Sequence, residues 1–367
     1  MTGPAGTRRP AGWRVGSLAG VPVYLGRSWI LILVVIAMVF GPVVRTVVPS
    51  LGSAAYLVAG GFAVLLLLSV LVHEGAHALV GRACGYRVNR IVADFWGGHT
   101  AYDSTDSTPG RSALVAIAGP LANGVLAGLG WLLLQVLPEG VPWLVAVAFT
   151  YANGFVALFN LLPGLPLDGG FLVDSLVWRL TGSRGAGMVV AGWCGRVVTG
   201  GLLLWALGPT LVSGQPITLT RVLWVVLIGS FLWIGAGDAI RVGRARQVFE
   251  RTTVGSVCRP VARVPVGATV GELPPVPPGV EVVAVDPTGH PVGILDREAL
   301  ARVPGVLHAT TPVTTVLRRQ PDGWVVTARP DDPVTDVVVT MQRLRTPVVA
   351  VRAPDGPLLG LVHARDV

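Results

Sequence analysis

Two histidines four residues apart, with a glutamate beside the first, stand in His73-Glu74-Gly75-Ala76-His77. On a helix, positions i and i+4 share one face, so both imidazoles can reach a single Zn²⁺ at about 2.0–2.1 Å. Glu74 then has the place of a general base toward a water whose pKa the metal lowers to about 7. With six His and six Glu in 367 residues, chance supplies on the order of 0.002 such HExxH patterns, so coincidence is a weak explanation.

A catalytic zinc keeps three protein ligands and one open position, so a third ligand must come from elsewhere in the chain. The candidate is Asp168, in Asn160-Leu161-Leu162-Pro163-Gly164-Leu165-Pro166-Leu167-Asp168-Gly169-Gly170. Prolines and glycines break a helix there, and broken backbone at membrane depth is tolerated only where it lines a cavity in protein. A plain turn with a solvated Asp is the alternative, and the pairing with HExxH weighs against it. His99 has ligand chemistry too, but it sits in the Gly-rich Gly97-Gly98-His99-Thr100-Ala101 and stays outside the ligand set.

The elements that must position these groups are membrane helices. The chain is 52% hydrophobic and only 13% charged, too apolar for an ordinary soluble enzyme. The apolar runs end near residue 240, so a membrane half precedes a soluble half. About 20 apolar residues cross a bilayer, and six spans are expected: Trp29–Val48, Ala54–Cys84, Ala113–Leu137, Pro142–Leu162, Gly192–Val212 and Val222–Ile240. The fold class is therefore a polytopic α-helical membrane protein followed by a small α/β module. At about 1.5 Å per residue, His77 lies some 7 Å and His73 some 13 Å beneath Arg82. Ionisable groups at that depth are costly enough that function is the default reading.

All 28 basic residues are Arg. With the N-terminus inside, fifteen of those flanking the spans fall on the cytosolic side and only Arg45 and Arg221 outside, which fixes the expected orientation. The arginines cluster at span ends rather than in one stripe, so the net charge of +8 is not read as a nucleic-acid surface. Cys84, Cys194 and Cys258 form neither a CxxC nor a disulfide framework. Residues 1–28 lack the apolar core of a removable signal peptide and form a cytosolic segment. Residues 29–241 then make the membrane domain, 242–252 a linker and 253–367 the soluble tail.

HEGAH in an early span, NLLPGLPLDGG in a later one and Ala118-Gly119-Pro120-Leu121-Ala122-Asn123 between them resemble the site-2 protease family of intramembrane zinc metalloproteases. The stretch Arg14–Val23 and the segment around His99 are also similar, so the likeness covers roughly residues 12–185. The resemblance implies that His73, His77 and Asp168 bind zinc, that Glu74 activates water, and that Asn160 helps hold the scissile carbonyl or oxyanion. It also implies a substrate: a single-span membrane protein already shortened by another protease, such as an anti-sigma factor or similar regulator. The setting would be a bacterial plasma membrane, with N-terminus and tail cytosolic. Asn123 and Asn153 are read as hydrogen-bonding residues between helices.

In the tail, Val282-Val283-Ala284-Val285 followed by a turn and Gly293-Ile294-Leu295 recurs as Val348-Val349-Ala350-Val351, a turn, and Gly360-Leu361-Val362. Two strand-turn-strand units argue for a tandem module, and the pattern resembles a pair of cystathionine β-synthase (CBS) domains. Such pairs bind adenine nucleotides in many proteins, but here only Asp366 matches a ribose-contacting position, and Pro274, Pro275, Pro277 and Pro278 replace an expected helix. The resemblance thus leaves two roles open, a nucleotide sensor and a module for homodimerisation. For the whole chain the rival readings are a transporter with a CBS-type sensor and a catalytically silent scaffold.

Overall fold

The computed structural model describes residues 12–94, 97–103, 107–213, 218–277, 279–354 and 356–367. It divides into a unit ending at Arg244 and a second beginning at Ala245. The first opens with a feature the sequence reading did not anticipate. Strands β1 (Gly12–Leu18) and β2 (Val21–Gly26) form an antiparallel hairpin. Its two-residue turn has positive φ at Ala19 (48°) and Gly20 (84°), the turn geometry that matches the twist of paired strands.

Helix α1 (Trp29–Val47) and the long α2 (Ala55–Ala83) follow, then strands β3 (Arg87–Asp94) and β4 (Gly97–Asp103). The four strands make one sheet in the order β1-β2-β3-β4, with β2 and β3 parallel, so distant segments of chain close it and β4 lies at its edge. The sheet packs on the last turns of α2 through Val21, Ile91 and Ala78, all buried. Arg82, near the end of α2, donates to the carbonyl of Ala19 in the hairpin turn. A β-carbon on Gly75 would meet Leu18 Cδ2 at 2.8 Å, so the hairpin reaches the HExxH helix itself.

Helices α3 (Pro109–Leu134) and α4 (Val141–Asn160) complete the early spans. The chain then breaks at residues 161–167 and resumes as α5 (Asp168–Thr181), which ends on Gly182 in the left-handed region. The last spans, α6 (Arg184–Ser213) and α7 (Leu219–Arg251), run past both ends of the expected Gly192–Val212 and Val222–Ile240 and carry Arg196 and Asp238 within them. Each charge has a local partner: the Arg196 guanidinium stacks on Trp193 and Trp233, and Asp238 pairs with Arg241 one turn on. Residues 242–251, read as a linker, continue the helix. Among the described residues, six helices are long and apolar enough to cross a membrane.

After the end of α7, the second unit continues with the single-turn helix α8 (Val254–Val257). In its first half, β5 (Val261–Pro265) pairs parallel with β6 (Glu281–Val285), which turns back into β7 (Pro291–Leu295). A short α9 (Arg297–Ala301) and β8 (Leu317–Arg319) follow. In the second half, β9 (Val325–Thr327) pairs parallel with β10 (Val348–Arg352) across α10 (Thr335–Leu344), and β10 pairs antiparallel with β11 (Leu358–His363). The β6–β7 and β10–β11 hairpins are the two copies seen in the sequence. Between β5 and β6 the crossover helix is reduced to one 3₁₀ turn, Val270–Glu272, because prolines follow that cannot donate to a helix. The hairpins share a core through Val283, Ile294, Val348, Ala350 and Leu361. The three cysteines are free, and burial pushes the Cys258 thiol up to about 11, which leaves it unreactive.

Candidate metal centre

His73 and His77 lie on the buried face of α2, and Asp168 is the first residue of α5. Asp168 reaches the pair because the loop before it is pressed into the helices. Leu165 is buried and its amide donates to the carbonyl of Ala191 at 3.1 Å. Gly164 lies so near α6 that a β-carbon would meet Gly195 Cα at 2.4 Å. The Leu165-Pro166 bond is cis, and Pro166 packs over Gly235 of α7.

The three candidate ligands converge on one point. His73 Nε2 lies 3.1 Å from His77 Nε2, and Asp168 Oδ2 lies 3.1 Å from the first and 3.4 Å from the second. Four-coordinate zinc with arms of about 2.0–2.1 Å places neighbouring ligand atoms about 3.3 Å apart, so the three atoms are spaced as one face of such a tetrahedron. Glu74 is buried, and a carboxylate oxygen lies within 4.8 Å of ligand atoms on both histidines.

The imidazole tautomers follow from the hydrogen bonds behind them. The carbonyl of Phe149 can only accept, so Asn153 donates to it through Nδ2 at 2.9 Å. Asn153 Oδ1 therefore accepts from Asn123 Nδ2 at 2.7 Å. Asn123 is left presenting Oδ1 to His73 Nδ1 at 2.5 Å, which must donate. His77 Nδ1 donates to the carbonyl of Val115 at 2.7 Å. In the neutral imidazoles both Nε2 atoms thus turn bare lone pairs toward a carboxylate oxygen. A proton can serve one pair of these acceptors; a divalent cation serves all three at once, and the donor set of two imidazoles and a carboxylate suits zinc.

Asn123 was read in the sequence as a bond between helices, and it makes that bond, but it also orients His73. Gly119 went unnoticed: a β-carbon there would lie 2.3 Å from His77 Nε2 and 2.5 Å from His73 Nε2. Its place in Ala118-Gly119-Pro120 was visible; that it faces the imidazoles required the packing of α3 on α2. Asn160 is the last residue of α4 and is half-buried. The side chain of His99 lies outside the described residues. Asp366, far along the chain in the second unit, is bound by the Arg259 guanidinium, which holds its carboxyl below the usual range. Its other oxygen is buried without a hydrogen-bond partner among the described residues.

Partners that orient metal-binding histidines commonly contribute 10- to 100-fold in affinity. Asn123→Ala is therefore expected to weaken zinc binding about 10- to 100-fold, read by competition with a chromogenic chelator. An unchanged affinity would remove Asn123 from the centre.

The profile of Peptidase family M50 matches residues 61–143, a stretch that holds most of the HExxH helix, β3, β4 and all of α3. The chain is 30% identical over 96% of its length to sll0528 of Synechocystis sp., which carries the name of a zinc metalloprotease, and covers 94% of that protein. It is equally 30% identical, over 96% of its length and 91% of the relative, to Rip3 of Mycobacterium tuberculosis, which carries the same description. A solved site-2 protease from Methanocaldococcus jannaschii is similar over 63% of this chain and 95% of that one, at 20% identity and a TM-score of 0.44.

Proposed function

Because this chain belongs to Peptidase family M50, the site-2 type of zinc metalloprotease, we propose that it hydrolyses a peptide bond in or near the membrane-spanning segment of a single-span membrane protein. The observation that carries this reading is the convergence of His73 Nε2, His77 Nε2 and Asp168 Oδ2 at 3.1–3.4 Å, each imidazole turned there by a bond to its far nitrogen. These three residues would hold the metal. When bound, zinc polarises the scissile carbonyl and acidifies the attacking water.

The rest of the reaction belongs to the chain's own groups. Glu74 accepts the proton as water oxygen adds to the carbonyl carbon, then delivers it to the amide nitrogen as the carbon–nitrogen bond breaks. The amine leaves neutral and the new carboxyl stays with the other fragment. Asn160, at the end of α4, donates to the carbonyl oxygen as charge develops on it. Burial of His73, Glu74 and His77 keeps bulk water from the site.

A helical substrate hides its carbonyls in internal bonds, so it must unwind before attack. Strand β4 pairs with β3 on one side and closes the sheet as its edge, and an edge strand can take up an extended peptide by main-chain pairing. Proline scanning of residues 97–102 should therefore lower the cleavage rate at alternate positions whose amides face outward, and rates untouched throughout would exclude strand addition. The decisive test of hydrolysis itself is the Glu74→Gln variant, assayed on a single-span substrate in proteoliposomes.

A further inference from the structure

A basic cleft of about 330 Å³ opens between α6 and α7 and is lined by Arg196, Trp233, Gly237, Arg241 and Arg244, none of them a candidate metal ligand. We infer that it binds the phosphate of an anionic phospholipid headgroup.

Arg196 sits inside an apolar span, where an arginine needs a reason. Its guanidinium carbon lies 4.8 Å from the Trp193 ring and 5.0 Å from the Trp233 ring. Cation–π stacking of this kind uses the flat faces of the group and leaves the rim of N–H donors in the plane. Its Nε is buried with no hydrogen-bond partner among the described residues. The group leans on the bare backbone of Gly237, with Nη2 3.7 Å from where a β-carbon there would lie. Arg241 and Arg244 stand one and two turns nearer the charged end of α7. Three guanidinia therefore line the cleft against one carboxylate, Asp238, which is paired with Arg241, leaving two positive charges in excess.

The surroundings decide the source of the anion. Trp193, Trp233 and Ile234 are 48%, 50% and 60% exposed, on helices long and apolar enough to cross a bilayer, so the walls beside the arginines face hydrocarbon. Indoles and arginines at one level of paired spans mark the bilayer interface, and basic clefts between such helices suit lipid phosphate. A phospholipid brings its phosphodiester to that level already, while its acyl chains run along Trp233 and Ile234. A soluble anion has no such match to the apolar walls. The volume lies at the small end of ligand sites, about 300–1,000 Å³, which suits a headgroup rather than a whole lipid.

The test uses the purified full-length protein in detergent, titrated with dioleoylphosphatidylglycerol or dioleoylphosphatidylcholine, with retained lipid counted by native mass spectrometry. Phosphatidylglycerol is expected to be retained in preference to phosphatidylcholine. Arg196→Gln and Arg244→Gln should each weaken retention about fivefold, whereas Arg45→Gln on α1 should not change it. If Arg196→Gln fails to fold, the double variant Arg241→Gln with Arg244→Gln, at exposed positions, carries the test. Equal retention of the zwitterionic lipid, or retention unchanged in the cleft variants, overturns the inference. Displacement of phosphatidylglycerol by inorganic phosphate would reassign the cleft to a soluble anion.

Discussion

Glu74→Gln is expected to lower hydrolysis of a single-span membrane substrate by about a thousandfold or more while one zinc per chain is retained. General-base catalysis contributes about 10²–10⁴ in rate, and a buried site belongs at the upper part of that range. Gln has the volume of Glu and preserves the packing of a residue only 6% exposed, so the fold and the ligand set persist. The two readouts separate two roles. Lost turnover with zinc kept, measured by atomic emission on the purified protein, identifies a base. Lost zinc would instead make Glu74 a ligand, which its place within 4.8 Å of both histidines leaves geometrically open. Preserved turnover would contradict the assignment outright. In cells, a single-span protein accumulating as a truncated stub only in the variant would identify the substrate.

What was legible in the sequence of this candidate centre was the part encoded locally. His73 and His77 announce themselves because the four-residue spacing of a helix is itself the geometry of two ligands. Asp168 announces itself because glycine and proline in one apolar segment are hard to explain without a cavity. The spans were legible for the same reason, since the bilayer imposes length and composition directly. Less visible was whatever depends on segments distant in sequence. The hairpin β1–β2 is short and its outer strand is exposed; its sheet exists only because β3, more than sixty residues later, pairs with β2. Helix α5 follows a helix-breaking loop, and only the seating of Leu165 and Pro166 against α6 and α7 turns Asp168 toward α2. How Arg196 is accommodated within α6 was not legible locally, because one of the two indoles that stack on it, Trp233, stands on another helix. In the tail, the prolines at 274, 275 and 277 predicted the loss of a crossover helix, since a missing donor is a local property. The pairing of Arg259 with Asp366, 107 residues apart, was not a local property.

Gly119→Ala should abolish activity without touching any ligand, by filling the space the metal and its imidazoles need. A single methyl on α3 would arrive 2.3 Å from His77 Nε2 and 2.5–2.6 Å from the edge of His73, well inside van der Waals contact. Neither ring can retreat cheaply. His73 is held by Asn123 and His77 by the Val115 carbonyl, and turning either ring breaks its bond behind and leaves a buried donor unpaired, at about 1–3 kcal/mol. Moving α3 instead would disturb Asn123 and Val115, which belong to the same helix. The variant is therefore expected to bind zinc at least about a hundredfold more weakly, as partners that orient metal-binding histidines commonly contribute 10- to 100-fold in affinity and here both are displaced, and to cleave at background rates. Gly124 supplies the control: it lies on the same helix, exposed, with nothing within 4 Å of an added β-carbon, so Gly124→Ala should keep both zinc and turnover. Chelator competition and the proteoliposome assay on the two variants together distinguish crowding of the centre from a general intolerance of α3 to alanine. Full zinc affinity in Gly119→Ala would mean that the imidazoles do not meet where the centre is drawn, and the proteolytic mechanism built on them would fall with it.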